Sequence, residues 1–80
     1  MKDTDILKRY GRRSPDKLLE KLRLLELSDK SIKIMKLRYV DKIPFKQIPE
    51  LVGCEERWMF RLHNKAINKM INMIDPLDFL

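Results

Sequence analysis

Residues that start and stop helices recur along this chain at helix-length intervals, and no other feature limits its fold so tightly. Asp3 or Thr4 can cap a short first helix that ends before Gly11, a residue suited to the left-handed position after a helix. Ser14-Pro15 is a start signal, since serine caps and proline at the first helical position lacks only an N–H that would be unpaired anyway. The run PDKLLEKLRLLEL then places Leu18, Leu22 and Leu25 on one face, with Leu19 beside them. Ser28-Asp29 opens a third helix, SDKSIKIMKLRYVD, whose inward set is read as Ile32, Met35, Tyr39 and Val40. A fourth helix spans roughly 44–52 and is ended by Gly53. A fifth runs from about 55 to 74 and stops at Asp75-Pro76. The short run IKIMKL is ambiguous alone, but it sits within a longer stretch of helical spacing. The expected fold is all-α: a small bundle of about five helices around one core. Residues 1–27 are helices packing on that core, 28–74 carry the main unit, and 75–80 form a short acidic and apolar tail.

Eighty residues allow one domain, because so short a chain buries only about 60% of its unfolded surface. No stretch approaches the ~20 apolar residues of a membrane span. The amino end, MKDTDILKRY, places aspartates where a signal peptide needs an apolar run, so a cytoplasmic protein with no membrane partner is expected. One cysteine, Cys54, excludes an internal disulfide and a cysteine-based zinc cluster within one chain. The acidic residues are scattered, and two glycines cannot form a phosphate-cradling loop. Neither an enzyme nor a cofactor or metal is therefore expected. The net charge of +6 suits a polyanionic partner, and nucleic acid is the commonest. That charge is spread along the chain, so a binding surface has to be assembled by folding.

Residues 44–61, PFKQIPELVGCEERWMFR, have the rhythm of a helix-turn-helix at the carboxyl end of the bundle. Gly53 supplies the tight turn, with a recognition helix over about 55–74. Phe45, Ile48, Val52, Met59 and Leu62 fall where such a unit needs apolar residues, and Cys54 reads as a small buried hydrophobe. The longer run IMKLRYVDKIPFKQIPELVGCEERWMFRLHNKAINKM resembles the fourth conserved region of sigma-70-family initiation factors and the small phage transcription regulators that share it. Leu37-Arg38-Tyr39 matches the LRY-type helix, and Gln47-Ile48-Pro49 stands for the E-I-A element. Leu51-Val52-Gly53 stands for the L-x-G end, and Lys65-Ala66 for the later basic-alanine pair. The likeness covers residues 28–72. It implies that the last helix enters the major groove and reads a promoter-like element of double-stranded DNA. It also implies a regulator encoded by a phage or mobile element, acting in a bacterial cytoplasm.

The side chains permit that role. Arg57, Arg61, Asn64, Lys65, Asn68 and Lys69 recur at three- and four-residue steps on one side of the last helix. Arginine can bind guanine in a bidentate way and asparagine can do so for adenine. Base contact is assigned to Arg57, Arg61 and Asn64. Phosphate contact is assigned to Lys65 and Lys69, and to Arg38, Lys42 and Lys46 from the preceding helix and link. Glu56 is a candidate acceptor for a cytosine amino group, whereas Glu55 reads as structural, in place of the usual serine cap. Trp58 is expected half-buried against the third helix. Phe60 is expected on the DNA side, against a thymine methyl, or else as an exposed anchor for a protein. His63 is expected at a polar flank. Pro49 stands where the family has alanine, and a slight bend or a late helix start would absorb a strain worth around 3 kcal/mol in a regular interior.

Two readings of function follow. One is a sequence-specific transcription regulator that binds DNA. The other is a protein-binding module that docks on RNA polymerase or another transcription regulator with little DNA affinity of its own, motivated by Glu55, Glu56, Trp58 and the apolar tail. A homodimer built on Phe60, Ile67, Ile71 and Ile74 is compatible with either.

Overall fold

The structure, a computed structural model, describes residues 2–74. The tail and the Asp75-Pro76 stop lie outside the described residues. Among these residues, five α-helices and one 3-10 turn make up the fold: α1 (Asp3–Arg13), α2 (Pro15–Leu24), α3 (Asp29–Tyr39), the turn Phe45–Gln47, α4 (Ile48–Val52) and α5 (Glu56–Ile71). No strand occurs among the described residues. The expected all-α bundle is the observed one.

Helix α1 does not stop at Gly11. It continues to Arg13, and Gly11 lies buried inside it. A Cβ at this position would overlap the carbonyl oxygen of Tyr39, so glycine is needed for close helix contact rather than for a turn. The stop comes instead from Pro15, which disfavours helical backbone at the residue before it. Ser14 accordingly sits at φ −141°, while its N–H still donates to the Tyr10 carbonyl at 2.8 Å. The starting residue also differs from expectation: Lys2, not Asp3 or Thr4, occupies the cap position, and Asp3 and Asp5 lie in the first turn. Their charge favours the positive end of the helix there.

Pro15 begins α2 as expected, although the Ser14 side chain makes no capping bond. Ser28 does cap α3: its Oγ accepts the Ser31 N–H at 3.2 Å and donates to the Ser31 hydroxyl at 2.9 Å. The inward set of α3 needs correction. Ser31, Ile34, Met35 and Tyr39 are buried, whereas Ile32 and Val40 are only partly so. This helix is central and has apolar neighbours on two sides, so no single inward stripe describes it.

Two apolar clusters result. The larger draws Leu7 and Tyr10 from α1, Leu18 and Leu22 from α2, Met35 and Tyr39 from α3, and Ala66, Ile67 and Met70 from α5. The smaller centres on Ile34, Ile48 and Met59, with Phe45, Val52, Phe60 and Leu62 packed around them. The apolar spacing read around Gly53 is thus the spacing of this second cluster. Cys54 packs against it half-buried. The run Phe60, Ile67, Ile71 and Ile74, read as a dimer surface, is largely turned inward. Ile67 is buried, Ile74 packs on the larger cluster, and Phe60 lies in the smaller. No helix among the described residues is long and apolar enough to cross a membrane.

Candidate nucleic-acid interface

The segment before α5 is shaped by two prolines and a glycine. Pro44 lies in extended backbone, at φ −61° and ψ 145°, and its carbonyl accepts the Gln47 N–H at 3.0 Å to form the 3-10 turn. Helix α4 then begins at Ile48, so Pro49 occupies the first turn, where its missing N–H is one that no helix satisfies internally. The late start, not a bend, removes the strain. At the far end the Pro49 carbonyl accepts both the Gly53 N–H (2.8 Å) and the Cys54 N–H (3.1 Å). Gly53 adopts the left-handed conformation, φ 77° and ψ 44°, that this kind of ending requires. Three residues, Gly53, Cys54 and Glu55, separate α4 from α5.

Glu55 caps α5 through its backbone alone: its carbonyl accepts the Met59 N–H at 2.8 Å, and its side chain makes no capping bond. Both Glu55 and Glu56 are exposed. Along α5, Met59, His63, Ala66, Ile67 and Met70 are buried. At about 100° per residue, the opposite face carries Arg57, Arg61, Asn64 and Asn68, and each is exposed. Lys65 and Lys69 are exposed on one flank, where with Leu62 they border a depression by the α2–α3 link at Glu26, Leu27 and Ser28.

Trp58 leaves about half of its surface open, 48%, and the Arg61 guanidinium carbon lies 5.7 Å from its ring centroid. That distance is within cation–π range. Phe60 is turned away from the exposed stripe. It is half-buried, with its centroid 5.1 Å from that of Phe45, so packing in the smaller cluster takes up the ring expected at the DNA side.

His63 differs most from expectation. It is 2% exposed, and its Nε2 lies 2.6 Å from the Tyr39 hydroxyl while its Nδ1 lies 3.1 Å from the Asn64 Oδ1. An amide oxygen can only accept, so Nδ1 carries the proton and Nε2 accepts from the phenol. Burial lowers the His63 pKa below the ordinary 6.5; the Asn64 bond opposes this, and Arg38 adds to it. Burial likewise pushes the Tyr39 phenol upward, so it stays protonated and remains the donor. The pair ties α3 to the buried side of α5. Its sequence signal was the helical phase of position 63, close to that of buried Met59 and Ile67; its polar character argued for the surface.

The remaining cations separate into two kinds. Lys42 and Lys46 are exposed. Arg38 is half-buried: Nη1 donates to the Ile43 carbonyl at 3.3 Å, and the guanidinium carbon sits 4.4 Å from the Phe45 centroid. It therefore organises the link as well as carrying charge. Folding also brings Lys8 and Arg12 of α1 beside Arg38 and Lys42. Nothing in residues 1–27 had marked those two, because their partners are distant in sequence.

Comparison with protein-family models, curated proteins and solved structures returned no match to this chain.

Proposed function

We propose that this chain is a sequence-specific DNA-binding regulator of transcription that uses α4, the Gly53 turn and α5 as a sigma-region-four-like helix-turn-helix. The observation that carries the reading is the stripe of Arg57, Arg61 and Asn64, exposed on a helix whose opposite face is buried in both clusters. A reading helix has to be held rigidly and still leave its base-contacting side chains free. Arg57 and Arg61 lie in its first two turns, the part that usually reaches base edges. Asn64 already bonds His63, so it would meet a base in a preset orientation. Lys65, Lys69, Lys42 and Lys46 are then assigned to phosphates. Glu56 is assigned to a cytosine amino group, while Glu55 caps the helix.

In vitro selection from a random duplex pool, repeated with Arg57→Ala and Arg61→Ala, tests this reading. The expected result is a defined site for the parent chain, with each substitution relaxing preference at one position. If every sequence binds equally, or if both variants select the same site with unchanged affinity, the proposal fails.

A second reading has its own support. Trp58 is a large exposed aromatic beside two exposed glutamates, and aromatic anchors dominate protein interfaces. A domain that docks on RNA polymerase through this corner would bind purified polymerase without DNA. Loss of that binding in Trp58→Ala, with duplex binding absent throughout, would favour the docking module over the DNA reader.

A further inference from the structure

The close contact at Gly11 has an electrostatic result away from the core. Where α1 lies on the carboxyl end of α3, Lys8 and Arg12, four residues apart and so on one helix face, come beside the chain that leaves α3. With Arg38, Tyr39 and Lys42 they line a depression of about 190 Å³. Among the described residues that line it, four of five are cations and none is acidic. Asp41, the carboxylate next to Lys42 in sequence, is instead paired with Lys36 at 3.1 Å. A concave wall of one sign concentrates the potential and favours an anion.

The fold constrains two of these residues, Arg38 through its side chain and Lys42 through its backbone alone. Arg38 is fixed by the Ile43 carbonyl and the Phe45 ring. Lys42 has φ 59°, a left-handed backbone that a lysine adopts only under local constraint.

We propose that this depression is a phosphate-binding site, with Lys8, Arg12, Arg38 and Lys42 supplying the charge and the donors. Arginine forks suit phosphate oxygens, and lysines add point charge around them. The phosphate can belong to the backbone of a duplex or to a free phosphorylated molecule. The duplex is the source favoured by the residues the two sites share, and this part rests on the DNA-binding reading above. Arg38 and Lys42, already assigned to phosphate, line the depression, and Lys8 and Arg12 add to that set. Tyr39 lines it as well and bonds the buried His63, which joins it to α5.

The test compares Lys8→Ala/Arg12→Ala with a charge-matched pair on α2, Lys17→Ala/Arg23→Ala. All four side chains are exposed, so both variants should fold. Two readouts are needed: the salt dependence of duplex binding, and an NMR titration with pyrophosphate. If a duplex phosphate fills the site, the first pair lowers the slope of log affinity against log salt by roughly 1.8, at ~0.9 per phosphate contact, more than the control pair does. The selected DNA sequence should stay unchanged. If a free phosphate fills it, pyrophosphate shifts the amide signals of Lys8, Arg12 and Lys42 in the parent chain but not in the first variant. That response supports the site even where no duplex binds, an outcome that removes the DNA reading alone. Equal salt slopes for the two variants, with no localised pyrophosphate response, overturn the proposal.

Discussion

The two apolar clusters do different jobs, and their construction shows it. The larger takes residues from α1, α2, α3 and α5, and Leu7, Tyr10, Leu18, Leu22, Met35 and Met70 are closed off completely. The smaller has three fully buried residues at its centre and a rim of half-buried side chains, Phe45, Val52, Phe60 and Leu62 among them. A five-residue helix such as α4 is too short to cover more. Helix α5 crosses both regions, with Met59 in the smaller and Ala66, Ile67 and Met70 in the larger. The larger cluster anchors the helix, and the smaller one sets how its first turns are presented. His63 lies between them, joined to Tyr39.

Substitutions that separate anchoring from presentation sharpen this contrast. Leu22→Ala should destabilise the whole chain by about 2–5 kcal/mol, the range for a fully buried leucine. Val52→Ala, at the rim of the smaller cluster, should cost roughly 1–2 kcal/mol, near the value for two partly buried methyl groups. Denaturant unfolding of the two variants measures the difference, and equal losses would erase the distinction between the clusters. On the proposed DNA-binding reading, Arg57→Ala and Arg61→Ala should each weaken specific duplex binding by about 1–3 kcal/mol. Unfolding should change little in Arg57→Ala and by no more than about 1 kcal/mol in Arg61→Ala, which loses its contact with Trp58. A larger stability loss in either would mean that the exposed stripe is structural.

The junction between the clusters offers a smaller, pH-dependent effect. Tyr39→Phe leaves the buried His63 Nε2 without its donor and should cost about 1–3 kcal/mol. The wild-type junction should also weaken in acid. His63 has a lowered pKa in the fold, so below the ordinary value the unfolded chain takes up a proton that the folded chain resists. Its contribution is therefore complete above about pH 6.5 and declines as the pH falls below that. The difference in stability between wild type and His63→Gln, measured from pH 8 downward, should be flat at first and then shrink. A difference that stays level to low pH would show that His63 titrates as if exposed. Pro49→Ala should have the smallest effect, a loss of roughly 0.4–1 kcal/mol, because a proline compatible with its backbone restricts the unfolded chain. A gain in stability would show that strain remains at the start of α4.

Much of the architecture could be read from local chemistry. Ser28 caps α3, Pro15 starts α2, and Gly53 ends α4 in the left-handed conformation. Leu18 and Leu22 are buried as their spacing indicates, and the apolar set around Gly53 forms one cluster. These features depend on backbone preferences and on periodicity within a single helix, which neighbouring residues alone determine. The exposed stripe on α5 follows the same rule.

Only the tertiary structure decided what depends on distant partners. Gly11 reads as a helix stop from its type, but it is a contact point because α1 meets the end of α3. Ile34 is buried because α3 has neighbours on two sides, which one helical stripe cannot express. His63 looks like a surface residue until Tyr39, 24 positions away, provides its hydrogen bond. Lys8 and Arg12 gain significance only when packing sets them beside Arg38 and Lys42. The sequence by itself determined where the helices run and which of their faces are apolar. Which polar and charged groups meet was left to packing, because electrostatic and hydrogen-bond partners are chosen by distance in space.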